Sequence, residues 1–263
     1  MNTTFPTLAL FLALALSGIA SSQSAAANPD SPSYDAALEE IDRHFKALRY
    51  EETEAALKSA LKTFPNDAGL LWRYCSLMLN WGDGVRDDKR EEEMYKRSVE
   101  YGEAAIKADP KDANAHSLLA AAYGSYAMFV GGKEKVKLAN KIKDQLDISL
   151  KLDPKNEVAH TVYGTWHREV ADVGWIERQL ANMFLGGLPD GSFEKSVYHF
   201  KEAIKVNPDF LRHHFQLGLT YLAMEKEDLA VKAWKKALSC PASLKADIGR
   251  KKRIKELIAE YSD

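Results

Sequence analysis

Cysteine is nearly absent from this sequence, and so are the short signatures of common enzyme classes. Cys75 and Cys240 are the only cysteines in 263 residues, too few for the disulfide framework of a small secreted domain. About three repeats of the register described below separate them, more than one disulfide spans, so both are expected as free thiols. No P-loop, GxGxxG, GxSxG or CxxC pattern occurs. Phosphate-cradling loops, dinucleotide folds, nucleophile elbows and dithiol redox chemistry are left without a carrier, and no cofactor is implied. Charge of one sign is not in excess either. The 36 Lys and Arg stand against 38 Asp and Glu, for a formal charge of −2, which gives no overall drive toward nucleic acid or an anionic membrane.

The first 27 residues contain no Lys, Arg, Asp or Glu, and residues 8–16 read LALFLALAL before a run of small residues. That is the pattern of a secretory signal. From Leu8 to Ala20 it falls short of the roughly 20 apolar residues of a spanning helix, so cleavage after Ala20 or Ala27 is expected, with an uncleaved anchor as the alternative. This reading assigns 1–27 to a signal peptide, 28–33 to a short linker, and the mature protein to a periplasmic or secreted location.

The rest of the chain is globular in composition, with 46% hydrophobic and 28% charged residues, and it repeats. The strings ALKTFPND, AIKADPKD, SLKLDPKN and AIKVNPDF begin at Ala60, Ala105, Ser149 and Ala203. Each ends an apolar-periodic run at a proline, Pro65, Pro110, Pro154 or Pro208, where a helix must stop. A shorter fifth copy ends at Pro241. Beyond four of these prolines a small residue precedes a large one by three positions: Cys75 and Met78, Ala120 and Tyr123, Gly164 and His167, Gly218 and Tyr221. The small residue lets two helices approach. Gly102 with Ala105, Phe200 with Ala203, and Trp234 with Ala237 form the facing stripe of a second helix. A helix pair of this kind cannot bury its apolar face alone and stacks on its neighbours.

With these residues in place, the chain resembles the tetratricopeptide repeat family, most closely from Gly218 to Leu238, where Gly218, Tyr221, Ala230, Trp234 and Ala237 take the packing positions. The proline spacings of 45, 44, 54 and 33 place extra residues between first and second helices, at WGDGVRDDKR, GSYAMFVGGKEK and from Arg168 to Gly191. The fold expected is all-α: a helical-hairpin solenoid with enlarged repeats, about five pairs over 34–243, closed by a capping helix over 244–263. The stretch from His160 to Phe210 more specifically resembles the regulator of microtubule dynamics family, through Gly164, Trp166, Val170, Ala171, Trp175, Arg178, Ala181, Phe184, Pro189, Phe200, Ala203, Pro208 and Phe210. That resemblance implies the fold and register, and a family whose eukaryotic members are associated with microtubules and organelle contacts.

In the repeat family the first helices line a concave face, and those positions are here Trp72, Arg73, Ser76, Asn114, Ser117, Thr161, Thr165, Arg168, Phe215 and Gln216. Aromatic anchors among hydrogen-bonding groups suit peptide recognition. The leading expectation is therefore a non-catalytic scaffold or adaptor for a protein or peptide. Trp175 and Arg178, in the long insertion, are expected to border the groove. A rival reading is a metal-binding protein or hydrolase using His160, His167 and Glu169, although a seven-residue spacing is not that of a zinc-gripping helix. His116, His160 and His214 each lie six residues past a proline, too far apart in a solenoid to share an ion. A third reading is a structural component of an envelope assembly. The run from Lys245 to Lys255 carries a net +5, most simply a solvated helix face, and otherwise a contact for anionic lipid or an acidic partner.

Overall fold

The computed structural model describes residues 33–262, and among these it is all-helical. Five antiparallel pairs follow one another: α1 (Tyr34–Lys46) with α2 (Tyr50–Thr63), α3 (Ala68–Gly82) with α4 (Asp88–Ala108), α5 (Ala113–Tyr126) with α6 (Gly132–Leu152), α7 (Glu157–Ala171) with α9 (Phe193–Val206), and α10 (Leu211–Ala223) with α11 (Glu227–Ser239). Helix α8 (Trp175–Phe184) is inserted within the fourth pair, and α12 (Asp247–Tyr261) follows the fifth. The expected signal segment, 1–27, and residues 28–32 lie outside the described residues.

The repeated proline strings explain the joints. Proline cannot continue the preceding helix, and two residues later a short polar side chain caps the next one. Asp67 Oδ1 accepts the N–H of Leu70 at 2.9 Å, Asp112 Oδ1 that of Asn114 at 2.8 Å, and Asn156 Oδ1 that of Ala159 at 2.8 Å. Phe210 stands at the fourth such position. It offers no cap and instead buries its ring in the core of the first hairpin, with Ile41, Phe45, Tyr50 and Leu244.

Two expected insertions take a different form from the one the spacing implies. The extra residues do not make long loops. They lengthen α4 and α6 to 21 residues each, because Asp87 caps α4 just four residues past Asp83 through the Arg90 N–H at 2.8 Å, and Gly131 opens α6. The third insertion builds α8.

The pairs pack through the small-residue positions. Gly164 lies against the ring of Phe200, and Gly218 against the indole of Trp234, whose Nε1 donates to the Phe215 carbonyl at 3.2 Å. One apolar core runs through α3 to α7, and a second joins Leu211 of α10 to Trp234, Ile254 and Leu257. The array also curls until its far units meet its near ones. Asp83, at the end of α3, accepts hydrogen bonds from Arg212 of α10, at 2.7 Å, and from Arg250 of α12. Lys245 stands 4.5 Å from the centre of the Tyr50 ring and 3.9 Å from Glu51.

Candidate functional site

Contacts between neighbouring units decide the state of the expected concave face. Trp72, Arg73, Ser76, Ser117, Thr161, Thr165, Arg168 and Gln216 are all buried, and Asn114 and Phe215 are half-buried. Their hydrogen bonds are internal. Arg73 stacks 4.3 Å above the Trp72 ring and donates from Nε to Asp42 at 3.1 Å. Asn156 donates to Asn114 at 2.9 Å, Ser117 to the Asn114 carbonyl at 3.0 Å, and Arg168 Nη1 to Gln216 Oε1 at 2.7 Å. Thr161 bonds the Glu157 carbonyl at 2.9 Å and meets His213 Nδ1 at 3.2 Å. These ten residues do not form an open peptide groove, because most of them bond or pack against the first helices of the neighbouring units.

Charge helps to hold the curl of the array. Burial alone would raise the Asp83 carboxyl, yet Arg250 and Arg212 outweigh it and keep the group below the usual carboxylate range. Asp247, fully buried, takes the N–H groups of Ser243 and Leu244 at 2.9 Å each and Arg250 Nη1 at 2.6 Å. One aspartate thus receives an arginine from each of two distant helices, and a second aspartate orients one of them.

The histidines have a clear local purpose. His116, His160 and His214 each place Nε2 against the carbonyl of their own proline, Pro110, Pro154 and Pro208, at 2.9, 3.0 and 2.8 Å. A carbonyl only accepts, so each Nε2 carries the proton. For His160 that leaves Nδ1 as an acceptor, and His199 Nδ1 lies 2.9 Å away as its donor. His199 also stacks on Tyr163, centroids 4.7 Å apart, and lies parallel to His167 at 5.6 Å. Burial, then the neighbouring His160 and His167, pushes His199 down to about 3, and burial with Lys195 and Lys143 brings His167 to about 4.

The geometry offers the metal reading no convergent ligand set among the described residues. Glu169 is bound to Arg168 Nη2 at 2.7 Å, and the rings of His167 and His199 are stacked rather than convergent. Among the described residues no group of three or more His, Cys, Asp or Glu is placed to hold a metal ion. His199, missed in the sequence, is what joins His160 to His167; its position on a second helix gave no local spacing to find it by. Cys75 and Cys240 are both free.

The insertion offers the open surface. A cavity of about 280 Å³ lies between the start of α6, the end of α7 and α8, lined mainly by apolar side chains including Val130, Val136, Val170, Val173, Leu180 and Leu188. Beside it Ile176, Leu180 and Met183, spaced by four and three residues on α8, are 63%, 46% and 71% exposed. Arg178 does not face this surface as a ligand group. Its guanidinium donates to the carbonyls of Val170 and Pro189, tying α8 to α7 and to the loop that follows. The side chain of Trp175 lies outside the described residues.

The family model described as "Regulator of microtubule dynamics protein 1-3" matches residues 37–262. The chain belongs to this family. Regulator of microtubule dynamics protein 1 of Bos taurus is 26% identical over 200 residues, which cover 75% of this chain and 63% of the relative. The Caenorhabditis elegans protein of the same name is 25% identical over 206 residues, 78% of this chain and 91% of the relative. Among solved structures, a thermophilic tetratricopeptide repeat protein of Thermus thermophilus aligns with a TM-score of 0.61 at 17% identity, covering 86% of this chain and 98% of that one. It shares the fold.

The family also corrects the expected location. A periplasmic or secreted protein was the reading of the apolar amino-terminal stretch, but the relatives are eukaryotic proteins named for regulating microtubule dynamics. The periplasmic or secreted reading is therefore withdrawn. Among the described residues no helix is long and apolar enough to cross a membrane.

Proposed function

We propose that this member of the regulator of microtubule dynamics family is a non-catalytic scaffold that holds a protein partner, and that the contact is made on the outside of the array, beside α8. The observation that carries this reading is the exposed stripe of Ile176, Leu180 and Met183 flanking an apolar cavity. Such a continuous apolar surface is costly in water and is the usual mark of a contact site. The inner face, the usual alternative in helical repeats, is closed in this structure. The relatives' name makes polymerised tubulin the partner to test.

The experiment is co-sedimentation of the purified chain with stabilised microtubules, comparing the parent with an Ile176→Glu, Met183→Glu double variant. Pelleting that saturates, and that the double variant loses while keeping its helical spectrum, supports both the partner and the surface. Pelleting of parent and variant alike moves the contact elsewhere on the array. No pelleting of the parent removes the microtubule from the reading.

A further inference from the structure

The inner face of the array is polar, yet it is closed. Arg73, Ser76, Asn80 and Asp83 follow one another at three- and four-residue spacing along α3 and its end, and all four side chains are buried. Ser117 and Ser125 of α5, eight residues apart on the same face, are fully buried as well. Hydroxyl, amide and charged groups cost desolvation when buried, so a face sealed for good would be expected to be apolar. The place where the array closes is also poorly satisfied. Arg212 Nε and Nη1 are buried there without a hydrogen-bond partner among the described residues, and so, on α5 within the array, is Ser125 Oγ. The seam is drawn together by Phe210 and Leu244 packed into the core of the first hairpin and by charge: Asp83 between Arg212 and Arg250, and Lys245 against Tyr50 and Glu51.

We propose that the closed array is a latched state, in which Asp83, gripped by Arg212 and Arg250, holds α10 and α12 against α2 and α3, and that freeing this carboxylate opens the inner face. Asp83 is suited to the task because one side chain serves two helices. Without its charge, Arg212 and Arg250 are left with only Asp247 between them in a buried seam, one carboxylate for two guanidinium groups, and the excess positive charge favours separation. Opening exposes inner-face side chains already able to hydrogen-bond water or a partner, beside the apolar Phe210 and Leu244. This inference is independent of the α8 surface, which lies away from the seam residues and would be present in either state.

The test is thiol labelling with a maleimide, read by mass at each site, in a protein carrying Ser125→Cys. Ser125 reports the inner face, and its hydroxyl has no partner to lose. The native Cys75 is the control, since it is buried in the apolar contact of α3 with α5, its Sγ 3.6 Å from the Leu118 carbonyl, and reacts only when the whole unit unfolds. The latch is broken in two ways, by Asp83→Asn within the seam and by Lys245→Glu at its exposed rim. Expected is labelling at position 125 that accelerates by about tenfold or more over the parent while Cys75 keeps its slow rate, as a local opening requires. Such selective acceleration in either variant supports the latch. Its absence from both, whether the two thiols accelerate together or neither responds, overturns it.

Discussion

Gly164 faces Phe200 so closely that a methyl group on its Cα would stand 2.9 Å from the ring's Cζ. Gly218 is placed in the same way against the Trp234 indole. Both aromatic rings are fully buried, so neither has room to withdraw. Gly164→Leu and Gly218→Leu are each expected to lose roughly 1 to 3 kcal/mol or more through overpacking, read as a lower urea midpoint. A parental midpoint in both variants would mean that the helix pairs do not meet at these glycines.

Arg178 should matter locally rather than globally. Its guanidinium serves two carbonyls, those of Val170 and Pro189, and leaving them unmade costs on the order of 1 to 3 kcal/mol. Arg178→Met keeps the apolar stem and removes the donors. Amide exchange is expected to quicken from Trp175 to Leu188 and to stay unchanged in α3 and α5.

Acid should weaken the fold through its histidines before its carboxylates. Burial depresses His167 to about 4 and His199 to about 3, and lowers His213 and His214 as well. The unfolded chain takes up protons near pH 6.5 that the folded chain refuses. The stability these groups contribute is full above that pH and is lost as pH falls toward the folded values, at no more than about 1.4 kcal/mol per unit for His167 and for His199, with a further loss of the same sign from His213 and His214. Urea midpoints at pH 7 and pH 5 measure the loss. His199→Leu should flatten the dependence between them, and an unchanged slope would show that this ring is not held neutral.

Surface substitutions on α8 should leave the fold alone. Ile176 and Met183 are mostly exposed, so glutamate at either is expected to shift stability by no more than about 0.5 kcal/mol. Thermal denaturation checks this, and a large loss would place both side chains in a contact that the exposed stripe does not have.

The helix pairs were legible because proline and glycine act locally. Pro65, Pro110, Pro154 and Pro208 end helices wherever they stand, and Gly164 and Gly218 mark contacts only a small residue permits. Gly131 caps the start of α6, which the sequence does not announce, since glycine serves at either end of a helix and spacing does not say which. Gly186 and Gly187, with φ of 90° and 87°, do terminate α8. The first-helix positions were legible as repeat equivalents, yet their exposure was not. That depends on which side chains of neighbouring units meet, as Arg168 meets Gln216 across 48 residues of chain, a distance over which no periodicity carries information.

A helical array with free ends melts as a row of neighbours, each unit leaning only on the next. Here the row has been joined into something nearer a hoop. Leu244 shares a core with Ile41, and Lys245 rests on Tyr50, so the last segment of the chain is structurally adjacent to the first hairpin. Damage at one terminus is then felt at the other. Removal of residues 244–263 should loosen α1 and α2, more than two hundred positions away in α1's case, while a break in the middle units is buttressed from both sides.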